Sequence, residues 1–193
     1  AMRAKEGEAL LIDFITRLTD GFTPEVFPGR VQNHSWAGSL GNADDDLTTI
    51  RAFDFMLDRD QHIAAIGISG GSLAPLLGST YHAIATGVAS GDHSHSGTTT
   101  DGTGRMKPDL VVDLQYSSHA SPVVAGAAAC LLQQAVSSGN ASAERPQVIK
   151  AVLIAAASKQ TFPQWQRAAA TKPYDHVFGA GELDLYHAWH LLN

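Results

Sequence analysis

The stretch Tyr116-Ser117-Ser118-His119-Ala120-Ser121-Pro122-Val123-Val124-Ala125-Gly126 holds the side chains best placed for covalent chemistry. It sets a serine where a strand and its short loop feed a helix built of small residues. A serine at that point gains two things. Its own N–H is one of the helix's unpaired donors, and the positive end of the helix dipole favours a developing oxyanion. The reaction such a place suits is acyl transfer, with a serine of this turn as the nucleophile. The plain structural reading of the same fragment is a serine N-cap on a buried helix, so its neighbours must decide.

A second serine competes. Gly67-Ile68-Ser69-Gly70-Gly71 has the Gly-x-Ser-x-Gly form of the nucleophile elbow of α/β-hydrolases, behind an apolar run. An esterase with Ser69 as nucleophile would follow, recruiting Asp175-His176 or His187. The elbow should launch a helix, however, and Ser72-Leu73-Ala74-Pro75 is short and broken by proline. Three histidines are candidate bases for Ser118. His119 is adjacent in sequence, but consecutive helix residues project about 100° apart, which turns its ring away. His93 and His95 lie in a Gly/Ser/Thr-rich stretch, 90–105, that reads as one long loop. Asp92-His93-Ser94-His95 has a metal-like spacing without an evident fourth ligand. Cys130, the single cysteine, sits in an apolar run and is expected to be a small buried hydrophobe without a basic neighbour to activate it.

The elements that must position these residues alternate along the chain. Leu10, Leu11, Phe14, Ile15 and Leu18 recur at helical spacing, and Asp44 or Asp45 caps a second helix carrying Leu47, Ile50, Phe53 and Leu57 on one face. Strands are expected at 30–36, 62–68, 82–88 and 109–114, mostly as unbroken apolar runs of the kind covered on both faces in parallel sheets. Helices are expected at 121–136, from Pro146 to Ile154, and after Gly181 to Leu192. Alternating strands and helices imply an α/β fold with a parallel sheet, whose active site lies beyond the C-terminal strand ends.

The 193 residues fit one domain, 1–193, with 44% hydrophobic and 17% charged residues. A net charge of −6 leaves no basic patch for nucleic acid or anionic lipid, so neither is an expected partner. No unbroken apolar stretch reaches the length that a membrane-spanning helix needs, and no signal-peptide pattern opens the chain.

Ser118-x-Ala-x-Pro-x-Val-Ala-Gly, behind a strand that begins Lys107-Pro108-Asp109, is similar to the nucleophile motif of the subtilases, the subtilisin-like serine proteases. That family usually has Gly-Thr before its serine; here Tyr116 and Ser117 stand there. Val31 to Gly38 resembles the family's strand whose Ser-x-Gly end binds substrate backbone, which assigns that role to Ser35, Trp36 and Ala37. The 82–88 strand, the Pro146 helix and Phe178-Gly179-Ala180-Gly181-Glu182-Leu183 also resemble subtilase features, in the family's order. The resemblance implies a three-layer αβα subtilisin-like fold and an endopeptidase acting on peptide or protein substrates. Export is common in that family. So is structural calcium, but no carboxylate cluster here has convincing ligand spacing, and no cofactor is expected.

The resemblance also implies what is missing. The family's Asp and His motifs precede the matched region, and neither is found, so the fold is expected to be N-terminally incomplete and Ser118 to lack its base. The oxyanion-hole asparagine is expected at Gly70 or Gly71. The isolated chain is therefore expected to be inactive, either as part of a working protease or as a non-catalytic, peptide-binding or scaffold homologue. An uncovered edge and face would favour a homodimer or pairing with an N-terminal portion.

Overall fold

The computed structural model describes Arg17 and residues 29–70, 73–94 and 106–193. The helix expected around Leu10–Leu18 lies, but for Arg17, outside the described residues, as do Gly71, His95 and most of the 90–105 loop. Four strands form one parallel sheet in sequence order: β1 (Val31–His34), β2 (Ile63–Gly67), β3 (Ile84–Val88) and β4 (Leu110–Val112). Among the described residues, apart from the helical Arg17, four helices accompany it: α1 (Ala43–Asp60), α2 (Ser117–Ser138), α3 (Pro146–Ala156) and α4 (Leu185–Leu192).

Alternation along β2 sorts the layers. Ile63 and Ala65 point into a core shared with Val124, Ala128 and Leu131 of α2, Ile149 and Leu153 of α3, and Ala188 of α4. Ala64 and Ile66 point the other way, onto Phe53, Met56 and Leu57 of α1 and onto Leu76 and Leu77 of a 3-10 turn. Side chains of a strand alternate between faces, so every β2 residue is buried and the sheet is sandwiched between two helical layers. The expected three-layer αβα arrangement is what these residues build.

Several boundaries move for identifiable reasons. Asn42, not Asp44 or Asp45, caps α1, its Oδ1 accepting from Asp44 N at 2.9 Å. The three aspartates instead fill the first turn, where their charge suits the helix dipole. Helix α2 starts at Ser117 rather than Ser121. Pro122, the sixth residue of α2, cannot donate to the Ser118 carbonyl four residues before it, and that carbonyl accepts from the Ser35 hydroxyl instead. Cys130 is exposed, correcting the expectation of burial. It lies on the outward face of α2 with Val123 and Val136, and Gly126 there has open space around it instead of a packed neighbour. By length and composition α2 could cross a bilayer, but half of it is buried against the sheet and α4, as a core helix is.

The sheet's N-terminal side is closed by ions. The Asp109 carboxylate accepts from Lys107 Nζ at 2.9 Å and from Ala85 N at 2.7 Å, with Lys150 Nζ of α3 at 3.4 Å. Burial pushes the Asp109 carboxyl up, but the two ammonium groups outweigh it and hold it below its ordinary range. Burial pulls Lys150 down to about 8 against the opposing pull of Asp109. Lys150 also donates to the carbonyls of Tyr81 and Ala83 at 2.8 and 2.7 Å, which ties α3 to the start of β3. Removing the carboxylate would leave the buried Lys107 ammonium without its partner and Lys150 with its two carbonyls alone, and losses of this kind cost about 3–5 kcal/mol. Asp109→Asn is therefore expected to lower unfolding free energy by about 3 kcal/mol in urea titration at pH 7, whereas an exposed control, Asp44→Asn, moves it by less than about 0.5 kcal/mol.

At the other edge, His34 of β1 packs edge-on to Phe53 and Trp36 at 5.3 and 6.0 Å between ring centres. Desolvation by this burial lowers its imidazole to about 4. Above about pH 6.5 both folded and unfolded forms are neutral and nothing is lost. As pH falls from about 6.5 towards 4 the unfolded chain takes up a proton that the folded one refuses, so stability drops, by on the order of 2 kcal/mol. The urea midpoint is expected to fall between pH 7 and pH 4.5, and His34→Phe to flatten part of that slope.

Candidate active site

Because all four strands are parallel, their C-terminal ends gather on one side, and the first turn of α2 sits there. Gly67, at the end of β2, makes this approach possible. A Cβ on it would lie 2.9 Å from the Ser117 carbonyl oxygen and 3.4 Å from the Ser117 hydroxyl. Tyr116 takes the N-cap place in extended conformation, and its carbonyl accepts the N–H groups of His119 and Ala120 at 3.0 and 3.1 Å.

Ser117 and Ser118 then part company. Ser117 is turned inward and is only 5% exposed, while Ser118 is exposed. No hydrogen bond to the Ser118 hydroxyl or N–H is found among the described residues. The Ser118 carbonyl accepts from the Ser35 hydroxyl at 3.0 Å, which fastens the end of β1 to the turn. Behind this bond stands a relay that sequence reasoning missed. Asn33 donates through Nδ2 to Ser35 Oγ at 3.0 Å and accepts through Oδ1 from Ser121 Oγ at 2.7 Å. Its signal was legible in principle: Asn33 and Ser35 are two apart in an extended segment and share a face, and Ser118 and Ser121 are about one helical turn apart.

Of the residues assigned to substrate backbone, Ser35 is exposed and Ala37 half-buried beside it. Trp36 is directed into the α1 side of the sheet, where it packs on the core and on His34.

His93 is the histidine that reaches the turn, but it meets Ser117. Its Nδ1 lies 2.9 Å from Ser117 Oγ and accepts from Ser117 N at 3.1 Å. His119 points away from Ser118 and packs edge-on to Tyr116 at 5.5 Å. No base is therefore directed at Ser118 among the described residues, and no group of three or more metal-ligating side chains is found there either.

Gly70, one of the two positions expected in place of the oxyanion-hole asparagine, has specific surroundings. A Cβ there would fall 1.9 Å from the Asp92 carbonyl oxygen and 3.6 Å from His93 Cα. The loop after β3 fills the space that an asparagine side chain would need. Ser69, the rival nucleophile, has its hydroxyl oxygen buried with no partner among the described residues, and the described helical element nearest after it is the four-residue 3-10 turn at Leu76–Ser79. That arrangement does not present a nucleophile the way an exposed elbow does.

No family model matches the sequence, and no curated protein matches it either. Solved structures do. The chain is similar to the patellamide maturation protease PatA (17% identity, TM-score 0.56, covering 95% of this chain and 67% of that one). It is similar to the prenylagaramide maturation protease PagA (19%, 0.58, 95% and 67%). It is also similar to a lanthipeptide protease (15%, 0.57, 96% and 66%). The chain thus spans about two thirds of the length of each, and what it shares with them is the subtilisin-like fold.

The Gly70 contact yields a test. Gly70→Asn, which would restore the donor by sequence, must push the Asp92 backbone aside and is expected to destabilise the protein by about 1–3 kcal/mol. A thermal midpoint equal to that of the unaltered protein would show that the loop yields freely.

Proposed function

We propose that this chain is a serine-endopeptidase-type domain of subtilisin-like fold that holds an extended peptide along Ser35–Ala37 and presents Ser118 to it, and that it does not cleave unaided. The observation that carries this reading is the Ser35–Ser118 bond of 3.0 Å. It joins a strand end that could pair with peptide backbone to a serine at the start of a 22-residue helix.

Peptide cleavage at such a site needs a defined sequence of transfers. Ser118 Oγ adds to the amide carbonyl and its proton passes to a base; the amine leaves with that proton, and water then releases the acyl group. The base is what the described residues do not direct at Ser118. His93 Nδ1 is taken up by Ser117 and His119 by Tyr116. An imidazole from another segment or another chain would have to complete the site.

One observation favours a second reading, a non-catalytic domain that keeps only the peptide ledge. The Asp92 carbonyl occupies the room beside Gly70, so the usual side-chain donor is not merely substituted but has no space.

A fluorophosphonate probe with peptide mass mapping separates the readings. No adduct on the unaltered chain is expected, since an unassisted serine is a poor nucleophile near neutral pH. An adduct lost in Ser118→Ala would show that a base reaches Ser118 and that the chain is competent as it stands. An adduct lost only in Ser69→Ala would replace the present reading with that of an α/β-hydrolase.

A further inference from the structure

We propose that His93 is a hydrogen-bond donor of this site, its Nε2–H meeting the carbonyl oxygen of a peptide bound beside Ser118. The inference rests on the peptide-binding reading above and adds to it a residue that comes from a different loop than the expected donor.

The first step is the proton's position. A backbone N–H can only donate, so the 3.1 Å contact from Ser117 N makes His93 Nδ1 an acceptor. The Ser117 hydroxyl, 2.9 Å from the same nitrogen, can donate to it as well. In a neutral imidazole one nitrogen accepts and the other carries the proton. The ring is thus held as the Nε2–H tautomer, and Nε2 has no partner among the described residues. Burial of Ser117 protects the two bonds that hold it so.

The second step is place. A donor supplied from the end of β2 would have to grow from position 70, where the Asp92 carbonyl blocks it. His93 Cα stands 3.6 Å from where that Cβ would be, so the imidazole springs from a backbone in contact with that position. The loop that excludes one donor side chain brings in another. The Ser118 N–H, also unpaired among the described residues, would be the second donor to the same oxygen, as first-turn N–H groups of a helix can be.

The ring's role as donor is distinct from that of a base. A base for Ser118 would need a free acceptor nitrogen, and the acceptor of His93 is occupied by Ser117. The structure therefore assigns to His93 binding and polarisation of a carbonyl, a contribution that does not depend on whether cleavage follows.

The test uses the whole chain labelled with 15N-histidine and a tetra-alanine peptide ending in an aldehyde. Long-range 1H–15N correlation at neutral pH is expected to show the proton of His93 on Nε2, and its signal is expected to move on adding the peptide. His93→Leu is expected to weaken binding about tenfold, near the upper end for losing one neutral hydrogen bond, and His93→Gln, which restores an N–H donor, to recover most of it. A proton on Nδ1 overturns the inference, as does an Nε2 signal that ignores the bound peptide. Equal binding by the leucine variant overturns it too while leaving the peptide-binding reading intact. No binding by the unaltered chain overturns that reading and, with it, this one. Should the leucine variant fail to fold, the Nε2 signal of the unaltered protein still decides.

Discussion

The close approach of α2 to the end of β2 governs most of what this molecule can do. A parallel sheet needs its helices laid across its faces, and α2 is the one whose inner side fills the largest core cluster. For its first turn to reach the strand ends, the residue beneath must lack a side chain. Gly67 meets that condition, with the Ser117 carbonyl 2.9 Å from where its Cβ would be. From this one contact follow the burial of Ser117, the exposure of Ser118 and the nearness of both to Ser35. The hydroxyl and amide relay through Asn33 and Ser121 then fixes the turn laterally.

The two ends of the sheet are treated differently. On the N-terminal side Asp109, Lys107 and Lys150 form a buried ionic knot, in which a carboxylate and two ammonium groups satisfy one another and several backbone groups. Such an arrangement tolerates little movement, because displacing any member leaves a charge unpaired in the interior. On the C-terminal side the contacts are neutral hydrogen bonds between small polar side chains, each individually modest. The N-terminal end thus carries the buried charges, and the C-terminal end carries neutral polar groups. His34, held neutral by burial under Trp36, belongs to the anchoring part although it lies next to the ledge.

Much of this was legible in the sequence, and for clear reasons. The apolar runs at 62–68 and 82–88 contain strands because nothing but burial on two faces explains them, and Pro146 opens α3 as a first-turn proline should. The serine-bearing turn was legible as well, since its small residues and its place before a helix constrain it from both sides. Other features were not. The start of α2 was set too late because Ser117 and Ser118 have no strong local helix preference and are drawn in by packing on Gly67. Cys130 was misjudged because an apolar composition says nothing about which side of a helix faces the core. The His93–Ser117 contact joins residues 24 apart across a loop, a separation over which local patterns are silent. The crowding at Gly70 depends on a backbone carbonyl, which no side-chain pattern records.

The subtilisin-like architecture, shared with maturation proteases at low sequence identity, sets the end of β1 beside the start of α2. The central claim is that this place takes a peptide. Amide hydrogen exchange of the whole chain, with and without a saturating extended peptide, addresses it most directly. The account predicts new protection confined to Val31–Ala37 and to the turn from Tyr116 to Ala120. Protection that appears instead around Lys150 and Tyr174, or that appears nowhere, would contradict it.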